Sequence, residues 1–316
     1  NGEGATKETR HLVFDLPDEG LEYKVGDALG VIGENPAQTV EDILVCTGWD
    51  GQMQVTTHNG EKNLRHALLT DVEIHRVNKK FINSLLDKIP EERGVMSARI
   101  TSRSRSSVSG GEDNYWNWSG ESDDWPDNYP SISQGSSPRA IVENLTEDAE
   151  AMENYIWSRD YIDVIEQFGV LHSPEELLGL ADKLKPRLYS IASSLDAHPG
   201  KVELTVAIVR YEHHDRLRGG LCTVYMADEV EVDKTPVGIF ISPTKSFVLP
   251  ADKSTDIIMV GPGTGIAPFR AFLEQREFDS EDGRNWLFFG DQSEKTEYYY
   301  SEQIESWLKN GTLYKY

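Results

Sequence analysis

The chain has 316 residues, of which 38% are hydrophobic, and a formal net charge of −23 at pH 7. It is long and apolar enough for two or three domains with cores of their own, whereas its acidity argues against nucleic-acid binding, which needs a basic surface for phosphate. Such a charge reads as solvated faces or, more sharply, as a docking surface for a basic redox partner.

No apolar run approaches the length of a membrane-spanning helix. No signal peptide opens the chain, although its start reads as mid-protein and leaves the true N-terminus unseen; a cytoplasmic location is expected. Residues 8 to 33 fall into short alternating segments with a turn at Gly26-Asp27, which suits antiparallel strands. Asn35 and Pro36 then start a helix with Val40, Ile43, Leu44 and Thr47 along one face; Cys46 lies on it and reads as a small buried hydrophobe. Asn78 is expected to cap a second helix with Phe81, Ile82, Leu85, Leu86 and Ile89 inside.

Residues 97 to 138 show no helical or strand period. Serine, glycine, asparagine and acidic residues dominate, as in a disordered insertion. Its Trp116, Trp118 and Trp125 leave a second reading open, a partner-docking motif of aromatics among acidic residues. The sequon Asn117-Trp118-Ser119 means little in a cytoplasmic protein. Ser173, Pro174 and Glu176 form a capping-box start for a third helix. These helices are expected to pack cores and are assigned no chemistry.

Pro186 ends the helical pattern, and RLYSIAS alternates like a strand, with Arg187, Tyr189 and Ile191 on one face and Leu188 and Ser190 on the other. An arginine can hold pyrophosphate, a tyrosine can pack against a flat ring, and a serine hydroxyl can reach a ring nitrogen. In isolation the same residues describe a strand with an exposed arginine and a half-buried tyrosine. Lys201 to Tyr211 forms the next strand, with Val202, Leu204, Val206 and Ile208 on one face. In the polar turn that follows, His213 and His214 read as solvated. Gly219 and Gly220 then precede a short helix in which Thr223 can hydrogen-bond an anion. The histidines show no ligand spacing, and the two cysteines, Cys46 and Cys222, lie far apart, so neither a metal site nor a disulfide framework is expected.

The most informative stretch is Asp256 to Arg276, DIIMVGPGTGIAPFRAFLEQR. Ile257 to Val260 suit a strand buried on both faces, as in a parallel sheet. Gly261, Gly263 and Gly265 let the backbone turn tightly and approach a ligand, and Thr264 offers a hydroxyl. A helix from about Ile266, with Pro268 in its first turn, points its free N–H groups and positive end at the same spot. The pattern suits a dinucleotide pyrophosphate, although a lone glycine-rich loop also describes an ordinary turn. NWLFFG is a further strand, and a last helix sets Tyr300, Ile304, Trp307 and Leu308 on one side before a Gly311 C-cap. Thr312 begins what should be a third strand. A sheet of two or three strands leaves apolar faces bare, so the chain reads as a fragment or as one completed by another chain.

Taken in order, RLYS, VELTVAIVRY, GGLCTVYMAD, KSFVLP, GPGTGIAPFRAFLEQR and NWLFFGDQ resemble the ferredoxin-reductase-like FAD/NADPH half of the diflavin reductases. EGATKETRHLVFDL and LEYKVGDALGVIGENPAQTVEDIL are similar to that family's opening strands and first connecting helix, so the resemblance covers nearly everything except about residues 94 to 145. It implies a multidomain α/β fold. An antiparallel FAD-binding β-barrel (1–35 and 186–250) would hold an inserted helical connecting domain (36–185), followed by a doubly wound parallel-sheet NADP-binding domain (251–316) that is incomplete at its C-terminus.

Residue by residue, the resemblance implies that Arg187 contacts the FAD pyrophosphate, that Tyr189 packs against the isoalloxazine or its ribityl chain, and that Ser190, the catalytic position, lies beside the hydride-accepting nitrogen. Tyr211 matches the position that stacks on adenine, and Gly220, Leu221, Cys222 and Thr223 match the loop whose backbone holds the pyrophosphate. Gly261, Gly263, Thr264 and Gly265 would receive the nicotinamide cofactor's pyrophosphate, and Arg10 matches an arginine that reaches toward that cofactor. The implied activity is hydride transfer from NADPH to FAD, then electron transfer through an FMN on a domain or chain not present here. PTKSFVLP and NWLFFGDQ favour the sulfite reductase branch, whose acceptor is a haemoprotein subunit with sirohaem and iron–sulfur. Two alternatives stay open: a reductase for another haem or iron–sulfur acceptor, and a non-catalytic FAD-binding module for partner docking.

Overall fold

A computed structural model describes residues 2, 4–17, 21–90, 137–214, 216–280 and 282–316. The expected disordered insertion, with its tryptophans and sequon, lies outside the described residues except for its last two positions. Those two, Ser137 and Pro138, begin a helix: the serine side chain accepts the Ala140 N–H, and proline at the first helical position has no N–H to leave unpaired.

In chain order, strands β1 (Glu8–Asp15) and β2 (Ala28–Ile32) come first. A mostly helical segment follows: α1 (Ala37–Thr47), the hairpin β3 (Gln54–Thr57) and β4 (Gly60–Asn63), α2 (Leu64–Thr70), α3 (Lys79–Lys88), α4 (Pro138–Glu147), α5 (Ala149–Trp157), α6 (Tyr161–Phe168) and α7 (Pro174–Leu180). Next are β5 (Arg187–Ser190), β6 (Lys201–Ile208), β7 (Arg210–His213), β8 (Arg216–Gly219), α8 (Leu221–Val224) with a wider turn over Tyr225–Glu229, and β9 (Gly238–Ser242). The chain continues with β10 (Ile257–Val260), α9 (Ala267–Phe278), β11 (Asn285–Phe288), α10 (Glu294–Glu297) and α11 (Ser301–Asn310). These elements form two compact units, Asn1–Gly33 with Pro186–Tyr316, and Glu34–Lys185.

In the helical unit, Val40, Ile43, Leu44, Phe81, Ile82 and Leu85 are buried in one core, with Leu86 and Ile89 at its margin. Asn78 caps α3 by accepting the Phe81 N–H, and Ser173 and Glu176 close the expected box on α7. Asn35 does not cap α1. Its side-chain amide donates instead to the Leu68 and Val72 carbonyls at 2.7 Å each, and Pro36 takes the cap position. Cys46 is only half-buried at the core's edge, not inside it. The unforeseen feature is Asp71, a buried carboxylate that accepts from Thr57, Asn59, Lys62 and Thr70. Burial alone would raise its pKa, but these donors hold it at about 2.

In the other unit, β1 pairs antiparallel with β6 along its whole length, and β2 lies between β5 and β9, antiparallel to both. The strands are antiparallel as expected, but among the described residues they form no closed barrel. β5 gives β6 one bridge, Ile191 to Leu204, before the chain leaves the sheet. On β6 the expected apolar face is buried, and so are Glu203 and Thr205 on the other face. The strand ends earlier than expected, because the Val209 carbonyl accepts the Gly220 N–H and β7 starts a separate hairpin with β8.

β10 and β11 are parallel with α9 between them in sequence, and near the end of the given sequence Trp286 makes an isolated parallel bridge to Lys315, whose carbonyl accepts the Leu287 N–H. β10 is not buried on both faces: Met259 points into a core with Leu273, Ile304 and Trp307, whereas Ile258 and Val260 are 67% and 65% exposed. α9 covers one side of the sheet only. Gly311 adopts the left-handed conformation expected of a C-cap, but Leu308 is exposed and leaves Ile304 and Trp307 as the buried face of α11.

Candidate cofactor site

β5 alternates as its sequence dictates, with Arg187 and Tyr189 half-buried on one face and Leu188 and Ser190 exposed on the other. In register, Tyr189 lies opposite Leu29 and Ser190 opposite Ala28 on the central strand. Burial raises the Tyr189 phenol well above its ordinary pKa, and its neighbour Cys222 pushes it the same way, so the ring stays neutral. Cys222 is buried, its thiol raised by that burial and directed at the Val31 carbonyl. A cation, a flat ring and a thiol are thereby gathered where β5, β2 and the start of α8 meet.

α8 opens after Gly220, and the amides of Leu221, Cys222 and Thr223 lie in its first turn, where a helix has no internal acceptor for them. The side chains of Leu221 and Cys222 are buried, so what this loop can offer an anion is backbone. Thr223 differs from expectation. Its hydroxyl donates to the Gly220 carbonyl at 3.0 Å and accepts the Val209 N–H at 3.3 Å, and so closes the turn. Tyr211, on β7, is 39% exposed.

In the second glycine-rich segment, Gly263–Ile266 forms a tight helical turn that runs directly into α9, with Pro268 in the first turn of that helix. A side chain at Gly261 would meet the Gly265 carbonyl and the Phe269 ring at 2.7 Å each, and Gly263 sits at φ +56°, so both positions need glycine. Their amides donate to the Phe288 and Gly290 carbonyls, which ties the loop to the end of β11. Sequence reasoning missed Asp291 there. Its carboxylate lies 3.5 Å from where a Gly263 Cβ would be and accepts from the Tyr299 hydroxyl at 3.1 Å. The available signal was its place just past the carboxyl end of a parallel strand.

Arg10 lies elsewhere. Its guanidinium pairs with Glu8 and donates to the Ala227 carbonyl just beyond α8, on the face of β1 opposite Thr9 and His11, which meet Tyr299 and Tyr300.

The FAD binding domain family matches residues 2–87 and 137–225, over half of the chain. The chain belongs to this FAD-binding family. The oxidoreductase NAD-binding domain family matches residues 259–315, which takes in the glycine turn, α9 and β11. Along all of its length the FAD-binding chain is 34% identical to the sulfite reductase [NADPH] flavoprotein alpha-component of Bacillus subtilis, covering 45% of that protein. It is 32% identical over 99% of its length to the proteins of the same name from Photorhabdus laumondii and Yersinia pestis, covering 44% and 43% of them. The chain therefore spans less than half the length of these curated relatives. Its donor set suits an FAD: a guanidinium for phosphate, a neutral flat ring beside it, an exposed hydroxyl on the next residue and a first helical turn of amides. No helix among the described residues is long and apolar enough to cross a membrane.

Proposed function

We propose that this chain is the FAD- and NADPH-handling portion of a flavoprotein oxidoreductase. Hydride would pass from NADPH to FAD, and electrons would go onward, through an FMN domain, to a sulfite reductase haemoprotein. The observation that carries the reading is similarity along the whole chain to flavoproteins of that name, together with an RLYS strand and a GPGTG turn folded into one compact unit. In this reading residues 1–35 and 186–250 make the FAD-binding domain, with an antiparallel barrel as its architecture, 36–185 the connecting domain and 251–316 the NADP-binding domain.

Arg187 would neutralise the FAD pyrophosphate along with the opening amides of α8, Tyr189 would pack on the flavin and Tyr211 on adenine. Ser190 would donate a hydrogen bond as flavin charge changes. Gly261, Gly263, Thr264 and Gly265 would seat the nicotinamide cofactor's pyrophosphate, and Arg10 would reach toward that cofactor. Bound FAD would supply the hydride acceptor; what the protein adds is orientation of two rings, worth several kcal/mol.

The visible spectrum of the purified chain tests this, followed by anaerobic addition of NADPH and, separately, NADH. A flavin spectrum bleached by NADPH in preference to NADH is expected. A flavin that persists with both would sink the hydride reading, and a colourless chain that cannot be loaded with FAD would favour a docking module.

A further inference from the structure

Arg270 is the fourth residue of α9, the helix that grows out of the glycine turn, and it is 7% exposed. Its Nη1 donates to the Ala192 carbonyl and to Glu203, each at 2.6 Å, its Nη2 pairs with Glu274 at 2.8 Å, and its Nε donates to Gln303 at 2.7 Å. Glu274, one turn further along α9, accepts the Ser194 N–H at 3.0 Å. The guanidinium also lies over the ring of Tyr300, whose hydroxyl reaches Thr205 on β6 and His11 on β1. His198, Glu203 and Glu274 have the spacing of a cation site, and the two carboxylates already pair with this guanidinium, while His198 lies against both of them.

These contacts share one geometrical consequence. The segment that α9 grips, Ala192 to Ser194, is the direct continuation of β5, two residues past Ser190. An apolar contact of the same size would hold helix to strand at least as strongly. What a planar guanidinium fork adds is direction, because its donors reach several acceptors only in one orientation.

We propose that Arg270 is a positioning residue for hydride transfer, holding the backbone beyond Ser190 in fixed relation to the helix that carries the glycine turn, and so setting how the nicotinamide meets the flavin. This rests on the hydride-transfer reading above. It requires that loosening Arg270 harm the reaction more than the binding of either cofactor, since a misplacement of about 1 Å lowers a rate by about 100-fold.

The test compares wild type with Arg270→Lys, which keeps the charge and loses the fork, in the FAD-loaded chain mixed with NADPH by stopped flow. The expected result is unchanged FAD content and NADPH Kd, a limiting rate of flavin reduction roughly 10–100-fold lower, and loss of the long-wavelength charge-transfer absorbance of stacked rings. In the flavin-free chain, amide hydrogen exchange across residues 192–194 should speed up. A wild-type limiting rate in the variant, or a loss confined to Kd, overturns the proposal. Should Arg270→Lys fail to fold, Glu274→Gln decides on the same readouts, with a smaller slowing expected and none overturning it. A wild-type chain that binds FAD but is not bleached refutes the hydride reading itself; a bleached wild type with an equally fast variant refutes only the role of Arg270.

Discussion

The two units bury charge in different ways. In the helical unit Asp71 is surrounded by Thr57, Asn59, Lys62 and Thr70, all within fourteen positions of it in the chain. In the cofactor unit Arg270 pairs with Glu203, which is 67 positions away, and donates to a carbonyl 78 positions away. The first arrangement fastens a hairpin to the helix that follows it. The second joins a strand of the FAD-binding region to a helix of the NAD-binding region, so its loss should be felt at a distance.

The largest expected effect tests that contrast directly. Arg270→Met leaves Glu203 and Glu274 buried without their cation and should lower stability by about 3–5 kcal/mol, read as a fall in Tm of the flavin-free chain. Asp71→Asn keeps an acceptor but gives up charge-assisted bonds, and should cost about 1–3 kcal/mol. Crucially, Asp71→Asn should leave flavin reduction as fast as in wild type. An Asp71 variant that reduces slowly would break the distinction between a local and a joining network.

Acid should weaken both networks. Burial alone would raise the Glu203 carboxyl, but His11 and Arg270 hold it at about 2, below an ordinary value of 4.5. A carboxyl depressed in the folded state stabilises above its unfolded pKa and loses that contribution as pH falls through the folded one. The Glu203 contribution is therefore complete above about pH 5 and fades toward pH 2, and that of Asp71, lowered from 3.8 to about 2, fades over a slightly narrower range. Thermal unfolding followed from pH 6 to pH 2 should show Glu203→Gln with a shallower decline than wild type; an equal slope would remove Glu203 from the acid response.

The smallest effect on stability belongs to the chemistry. Ser190 is exposed, so Ser190→Ala should change stability by less than about 0.5 kcal/mol while slowing flavin reduction roughly 10–100-fold with FAD still bound. Unchanged stopped-flow reduction would remove Ser190 from the mechanism.

The features legible in the sequence are those that a few neighbouring residues dictate. Asn78 and the Ser173–Glu176 pair cap their helices because a cap needs only an acceptor three residues before an N–H. The alternation of RLYS and the strand, turn and helix of IIMVGPGTGIAPF follow from backbone sterics and a period of two. Even the position of Gly261 and Gly263 is a local matter, a carbonyl or ring too close in one case and a positive φ in the other.

What the tertiary structure alone decided is which faces were covered. Glu203 and Thr205 occupy alternate positions of β6 that a sequence pattern assigns to solvent, and Arg270 and Glu274, four apart on α9, look like an exposed ion pair. All four are buried or nearly so because α9 and Tyr300 pack against that strand face, and only then does each charge acquire the partners that make its burial tolerable. For the same reason β10, apolar throughout, is bare on one side. Period and propensity act over a few residues, whereas burial is a property of whatever arrives from elsewhere in the chain.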